Sequence, residues 1–303
     1  MELRQLAALV SVAREGSFTR AADQLSLTQS AVTRQIAALE VETHSRLFDR
    51  LGRSIVLTSA GQLLLKYAQE MLRLDSEALH ALEDVRSGAG GKLAVGSSST
   101  AAAYLLPPLL QQYRRERPGV DLSVLTGPST RVAEMTSNNE VDVGLLMDEP
   151  TASGLKSIKV AEYTIALIVY ADHPLIRAAE QRKALELDEF ADLPLILMQS
   201  GASLRRSVDQ LLGQSRQGQN ISMELDNVEA IKKMIEAHLG VSLLPIMAVK
   251  DEISAGALVA LPINSPKPSK PSIVIVHRED KYVSGAMHAF IDLIRKRLPD
   301  AVD

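Results

Sequence analysis

The sequence predicts an α/β protein with an N-terminal winged helix-turn-helix, a long linker helix and a C-terminal unit of two α/β subdomains. Three patterns predict it. Residues 1–58 hold short helical stripes and then one hairpin, residues 59–87 hold a single unbroken helical stripe, and residues 88–303 alternate apolar strand-like runs with helical stretches. A chain of 303 residues is long enough for more than one domain. Its 46% hydrophobic content supplies the cores, and with 3% aromatics and no Trp those cores must be aliphatic.

In the first part, Leu6, Leu9, Val10 and Ala13 share one helical face, and Gly16 stops that helix. Ser17 or Thr19 caps the next helix, Arg20–Leu25, which turns Ala21, Ala22 and Leu25 inward. After the break at Ser26-Leu27, Thr28 caps a third helix with Val32, Ile36 and Leu39 as its inner stripe. At about 100° per residue, Ser30, Arg34 and Ala37 point the opposite way, with Thr33 beside them. That outer face is short, polar and cationic. It suits close approach to a major groove, where Gln, Ser, Thr and Arg side chains meet base edges. A small bundle whose outer face simply meets water fits the same stripe. Two further features favour the nucleic-acid reading. Leu47–Arg50 and Ser54–Thr58 form a hairpin with its tip at Gly52-Arg53. Arg53 at that tip has the reach for a minor groove, and Arg50 is placed to hold a phosphate. Bulk charge gives no help: the chain carries −4 overall, and residues 1–91 hold 10 Lys/Arg against 11 Asp/Glu. Any DNA contact must therefore rest on a few positioned groups.

Residues 59–87 form the best-defined pattern. Thr58 caps a helix in which Leu64, Tyr67, Met71, Leu74, Ala78, Ala81 and Val85 keep 3-4 spacing. Such a helix is roughly 42 Å long, too long to bury against one small domain. It is expected to be a dimerisation helix, although packing along its own chain fits the same spacing. A dimer would favour an inverted-repeat site on double-stranded DNA. Ser87-Gly88-Ala89-Gly90-Gly91 then reads as a joint.

Beyond the joint, strands are expected at Lys92–Gly96, Val120–Leu125, Val141–Met147 and Thr164–Tyr170. Helices are expected at Thr100–Arg115, broken by Pro107-Pro108, and at Thr130–Ser137. A second set follows: Leu195–Met198, Ser203–Leu212, Ile221–Leu225, Val228–His238 and Val241–Leu244. Ser272–His277 and Gly285–Arg297 have no local partner and are expected to return to the first set. The result is subdomain I at about 92–162 and 268–303, and subdomain II at about 163–267. Ligands bind such pairs in the cleft outside the carboxyl ends of the strands.

Three strand-to-helix turns carry the same chemistry: Ser97-Ser98-Ser99-Thr100, Gly127-Pro128-Ser129-Thr130 and Ser200-Gly201-Ala202-Ser203. Each offers free backbone N–H groups at a helix start, plus hydroxyls, which suits a small organic acid. Ordinary capping explains each hydroxyl singly; their recurrence favours a ligand. The candidate effector residues are Ser99, Thr100, Pro128, Ser129, Gly201, Ala202 and Ser203. No catalytic constellation is present. There is no GxSxG or P-loop, the SxxK at Ser153–Lys156 lacks a following KTG, and the six His lack metal-ligand spacing. No enzyme activity, cofactor or metal is expected. Cysteine is absent, which removes disulfides and thiolate chemistry. Met1–Glu15 is no signal-peptide core, and no apolar run spans a bilayer. A cytoplasmic protein without a membrane partner is the expectation.

Over essentially its whole length the chain resembles the LysR-type transcriptional regulators. The residues that carry this are Leu3–Ala13, Gly16–Ala22, Leu25, Thr28–Ile36, Leu39-Glu40, Leu47–Arg50 and Leu57–Gly61, then Ala171–Leu175 and Gly240–Pro245. The resemblance implies a winged helix-turn-helix, a linker helix and an effector domain similar to periplasmic solute-binding proteins. It also implies a homotetramer built as a dimer of dimers, a small-molecule effector between the subdomains, and RNA polymerase as a candidate partner. By position, Gln29, Ser30, Thr33 and Arg34 match the family's groove-facing residues and Arg53 its wing arginine. Ser99, Thr100, Ser129 and Gly201–Ser203 match its effector-contacting regions. Two departures stand out. Thr43-His44-Ser45-Arg46 replaces the usual Leu-Gly, small residue and Pro, which removes the glycine favoured for a left-handed helix cap. His238 replaces a common glycine. Two other readings share the two-lobed scaffold: a transport solute-binding module and an enzyme. The N-terminal 86 residues speak against the first, and the missing constellation against the second.

Overall fold

Apolar spacing in the first sixty residues becomes three short helices and a hairpin. In the computed structural model these are α1 (Leu3–Glu15), α2 (Phe18–Gln24), α3 (Gln29–Glu42), β1 (Phe48–Leu51) and β2 (Ser54–Leu57), followed by α4 (Ser59–Ser87). The structure describes residues 1–51, 54–87, 90–213, 218–265 and 271–302, and divides into two units, Met1–Arg86 and Ser87–Asp303. In the first unit Leu6, Leu9, Val12, Val32, Ile36, Leu39 and Leu47 are buried around Ala21, Ala22 and Ala68. Phe18 and Phe48 meet edge to face at 5.9 Å. Val12, not Val10 or Ala13, lies at the centre of the α1 stripe. Helix α2 starts two residues earlier than its pattern suggests, because the Ser17 side chain accepts from the Arg20 N–H and so draws Phe18 into the first turn.

Helix α4 has two faces. Ala68 is buried in the core of its own unit, and Leu64, Leu65 and Leu72 pack beside it. Leu64 therefore does not join the seam expected of it. Tyr67, Met71, Leu74 and Ala78 lie on the exposed side, with Leu63 and Leu82. The side chains of Ala81 and Val85 lie outside the described residues.

The second unit contains β3 (Gly91–Ser98), α5 (Ser99–Tyr104), α6 (Leu106–Glu116), β4 (Val120–Gly127), α7 (Ser129–Ser137), β5 (Val143–Leu146), β6 (Leu155–Glu162) and β7 (Ile165–Tyr170). It continues with α8 (Leu175–Arg182), β8 (Leu185–Glu186), β9 (Leu195–Met198), α9 (Ser203–Leu212), β10 (Ile221–Leu225) and α10 (Val228–Glu236). Last come β11 (Ser242–Pro245), α11 (Lys250–Ser254), β12 (Leu258–Leu261), β13 (Ile263–Asn264), β14 (Ser272–Arg278) and α12 (Gly285–Val302). Sequence reading missed β6 and β12, which alternate too little to stand out from loops. Pro107-Pro108 sit in the first turn of α6, so the expected break falls ahead of them.

One sheet runs β4-β3-β5-β14-β6, with β3 parallel to β4 and β5, and β14 antiparallel to β5 and β6. Its two faces separate by period-2 alternation. Val143, Leu145, Ile273 and Ile275 face the large core with Leu105, Leu109 and Phe290. Leu146, Val274 and Val276 face Val132 and Val141 instead. Helices α5, α6 and α12 thus cover one face and α7 the other. The second sheet runs β11-β7-β12, and a bridge from Leu195 to Val241 adds β9 and β10. The chain leaves the first sheet at Tyr163. Burial pushes the Tyr163 hydroxyl up to about 12, so it stays protonated and donates to the Met147 carbonyl at 3.2 Å.

The cap of α3 forms without the missing glycine. His44 itself takes the left-handed conformation, with φ at 49°. Its N–H donates to the Val41 carbonyl at 3.3 Å, and the Ser45 N–H donates to the Glu40 carbonyl at 3.1 Å. This is the double bond set of a Schellman cap. An L side chain costs roughly 1–2 kcal/mol in that conformation. His44→Gly is therefore expected to stabilise the protein by about 1 kcal/mol. Thermal melts of the full chain check this, and a midpoint that stays level or falls would remove the strain argument.

Candidate nucleic-acid interface and effector cleft

The outer face of α3 is built from its cap outward. Thr28 Oγ1 accepts from the Ala31 N–H at 3.2 Å and lies 3.1 Å from Ser30 Oγ. Gln29, Ser30, Arg34 and Ala37 are exposed, while Val32, Ile36 and Leu39 are buried. Thr33 is half-buried and donates its hydroxyl to the Gln29 carbonyl at 2.9 Å, which leaves the oxygen lone pairs as acceptors. Among the described residues Arg34 forms no ion pair, so its guanidinium is not neutralised within its own unit. The face offers a cation, an amide and hydroxyls along one side of a helix whose N-terminus carries partial positive charge. Arg50 lies on β1 opposite Ile55, but its side chain, like all of Arg53, lies outside the described residues.

What fixes the angle of α3 is a carboxylate. Glu40 Oε1 accepts from the Leu47 N–H at 2.7 Å and the Phe48 N–H at 3.4 Å, tying the end of α3 to the start of β1. Thr58 ties the same turn to α4: its hydroxyl donates to the Arg46 carbonyl at 2.6 Å, and its N–H to the Leu47 carbonyl at 3.0 Å. Gly61 lets α4 come close, because a Cβ there would lie 2.1 Å from the Leu47 carbonyl oxygen. The sequence marked Glu40 and Gly61 only as parts of a pattern; their joint role needed the folded turn.

In the second unit the three strand-to-helix turns meet. Helices α5, α7 and α9 begin at Ser99, Ser129 and Ser203, and a cavity of about 90 Å³ lies among those starts. Ser99, Thr100, Pro128 and Ser129 line it from one subdomain, and Ala202 and Ser203 from the other. Gly201 is not among the lining residues; it is exposed, with φ at 93°, and shapes the turn. Ser129 Oγ and Ser203 Oγ lie 2.6 Å apart, a hydrogen bond across the cleft. Sequence reading missed the apolar walls, Met147, Met198, Leu204 and Pro245, and also Asp226 and Ser98. All but Leu204, which lies in the first turn of α9, sit at or just after strand ends, and that position was the signal available. Ser98 Oγ is buried and has no partner among the described residues. No cation stands among the described residues that line the cavity, so negative charge on a ligand would meet N–H groups and hydroxyls, with the Asp226 carboxylate opposing it.

A second, larger hollow of about 460 Å³ shares Ser129 and runs along α7 to Asp148 and Arg206. Arg205, its neighbour, is buried; it pairs with Asp209 one turn along α9 at 2.9 Å and ties the helix to Glu224 of β10 at 2.5 Å. His238, with φ at 60°, does not enter the cleft. It is exposed and stacks on Tyr170 at 4.0 Å. His173 packs edge-on to that ring, accepts from the Leu175 N–H, and is held below the usual imidazole range by burial.

Known proteins share these parts. Residues 3–62 match the model of the bacterial regulatory helix-turn-helix protein, lysR family, and residues 86–299 match the LysR substrate binding domain. A probable RuBisCO transcriptional regulator of Synechocystis sp. is 33% identical over 99% of this chain and 88% of its own. A full-length OxyR variant from Pseudomonas aeruginosa superposes with a TM-score of 0.73 at 22% identity, covering 100% of this chain and 96% of that one. Full-length CbnR complexed with its target DNA gives 0.63 at 22% identity, covering 98% and 99%.

Removing the Glu40 carboxylate strands the Leu47 N–H. Glu40→Ala is expected to cost about 2 kcal/mol, the range for a hydrogen bond to a charged group. Glu40→Gln, which keeps an acceptor, should cost less than half as much. Urea melts of the full chain compare the two, and equal losses would show that the bond does not set the turn.

Proposed function

The chain belongs to the LysR family of transcriptional regulators, with a DNA-binding helix-turn-helix and an effector-binding domain, and within that family we propose specific roles for its residues. Residues 1–58 are the DNA-binding domain, 59–87 the linker and 88–303 the effector domain. Gln29, Ser30, Thr33 and Arg34 read the major groove, Arg50 holds a phosphate and Arg53 enters the minor groove. The observation that carries this reading is the exposed, unneutralised face of α3. With so few cations, two copies must act together, and the exposed stripe Leu63, Tyr67, Met71, Leu74 and Leu82 supports pairing through α4. A dimer presents two such helices to an inverted repeat, and two dimers make a tetramer. The working place is the cytoplasm.

Arg34→Ala should weaken binding to a selected duplex about ten- to hundred-fold, as expected for a base contact of roughly 1–3 kcal/mol. Mobility-shift titrations on duplexes selected from a random pool measure this. Wild-type affinity in the variant would refute the assigned face.

The effector is a small organic acid held by the helix starts at Ser99, Ser129 and Ser203. Support comes from the convergence of three N-termini with hydroxyls around one cavity. Its small volume, well under the few hundred Å³ of typical ligand sites, means either a very small acid or a cleft that opens. A thermal-shift panel of two- to six-carbon acids on the full chain should find a stabilising member, and Ser129→Ala with Ser203→Ala should reduce that shift by more than half. A hit that survives both substitutions would place the effector elsewhere.

A further inference from the structure

Two contacts between charged or aromatic side chains join the subdomains among the described residues, and they lie on opposite faces of the five-stranded sheet. On the face covered by α5, α6 and α12, the Tyr104 hydroxyl donates to Glu229 Oε1 at 2.5 Å. Its ring also covers Lys232, whose Nζ lies 5.2 Å from the ring centroid. Lys232 is only 3% exposed, and its ammonium is held by Glu229 and Glu252, both at 2.8 Å, and by the Ala248 carbonyl at 3.1 Å. On the α7 face, Arg206 pairs with Asp148 and donates to the Gly201 carbonyl at 2.7 Å. Arg206 is 43% exposed, and this pair borders the 460 Å³ hollow.

The contacts differ in strength for physical reasons. The Tyr104 contact combines two interactions, a hydrogen bond to a carboxylate that is itself 59% exposed and a cation–π contact to the buried Lys232 ammonium. The Arg206 contact is a single ion pair between a 43% exposed guanidinium and a 17% exposed carboxylate, with no second interaction beside it across the cleft among the described residues, and water and salt screen its arginine side. Asp148 Oδ1 is buried and has no partner among the described residues, so the pair leaves part of its carboxylate unsatisfied.

From this asymmetry we infer that Tyr104–Glu229–Lys232 is the pivot of the effector domain and Asp148–Arg206 its releasable gate. The subdomains separate on the α7 face while the Tyr104 face stays closed. The larger hollow is then the entrance to the inner cavity, reached once the Ser129–Ser203 bond parts. This assigns a moving and a fixed side to the cleft and rests on the effector reading only for what passes through it.

The absence of cysteine makes the test direct. Spin labels on N138C and Q210C report the α7 face, and labels on Q111C and K233C report the Tyr104 face; all four positions are exposed. Pulsed distance measurements on the full chain, without ligand or DNA, keep the result independent of the effector's identity. Asp148→Ala should raise the population of long 138–210 distances about five-fold, the upper range for an exposed ion pair, and leave 111–233 unchanged. Tyr104→Phe, which removes only the hydroxyl, should broaden 111–233. Matching melting curves for both variants show that the fold survives. An unchanged 138–210 distribution in Asp148→Ala, or its lengthening in Tyr104→Phe alone, overturns the assignment.

Discussion

Strand β14 pairs with β5 on one side and β6 on the other, and through these two ladders the end of the chain completes a sheet begun at Gly91. The second subdomain is therefore an insertion held at both ends. One end is the Tyr163 crossing, where the Tyr163 N–H donates to the Pro271 carbonyl at 3.0 Å, beside the returning strand. The outgoing chain at Tyr163 and the returning strand at Pro271 therefore lie side by side. They also aim the strand ends of both sheets into one gap. The convergence of α5, α7 and α9 starts follows from this topology, because a helix begins where its strand stops.

The DNA-binding unit solves a similar problem at smaller scale. A recognition face is useful only if its helix is held at a fixed angle, and α3 packs on its neighbours through the buried side chains of Val32, Ile36 and Leu39. The turn that follows supplies the remaining constraint. Its backbone donors go to Glu40, its carbonyls to Thr58, and Gly61 leaves room for α4. Helix α3, with its exposed polar face, and α4, with its exposed apolar stripe, are thus joined through one short segment. Reorientation of α4 would be transmitted to α3 through the hydrogen bonds of Thr58 and Glu40 to this segment, which tolerate little change in length.

Charge is used locally in both units. On α3 itself, one exposed arginine and a few hydroxyls replace a basic surface. In the cleft, N–H groups and hydroxyls replace a basic side chain. Cationic side chains appear instead in structural pairs, as with Arg205 and Lys232. For Lys232, burial opposes the charged form, but Glu229 and Glu252 outweigh it and hold the ammonium above its ordinary range. The Tyr104 hydroxyl is held well above its usual range by burial and then by Glu229, so it remains a donor.

Local periodicity in the sequence was enough to determine the stripe Val32-Ile36-Leu39, the Thr28 cap, the presence of a helix break close to Pro107-Pro108 and the apolar strands β7, β9 and β14, because each depends on neighbours a few residues apart. The repeated hydroxyl-bearing turns were legible for the same reason. Tertiary structure alone decided four things. It moved Leu64 from the seam to the core, since 3-4 spacing does not say which side of a long helix meets its own unit. It let His44 adopt a glycine-like cap, because Glu40 and Thr58 fix the turn around it. It brought Met147, Met198 and Pro245 to the cleft walls from distant strand ends. Finally, it set Tyr104 against Glu229 and Asp148 against Arg206, pairs separated by 125 and 58 residues. No periodicity reaches so far along a chain; only the closing of the sheet by β14 makes these groups neighbours.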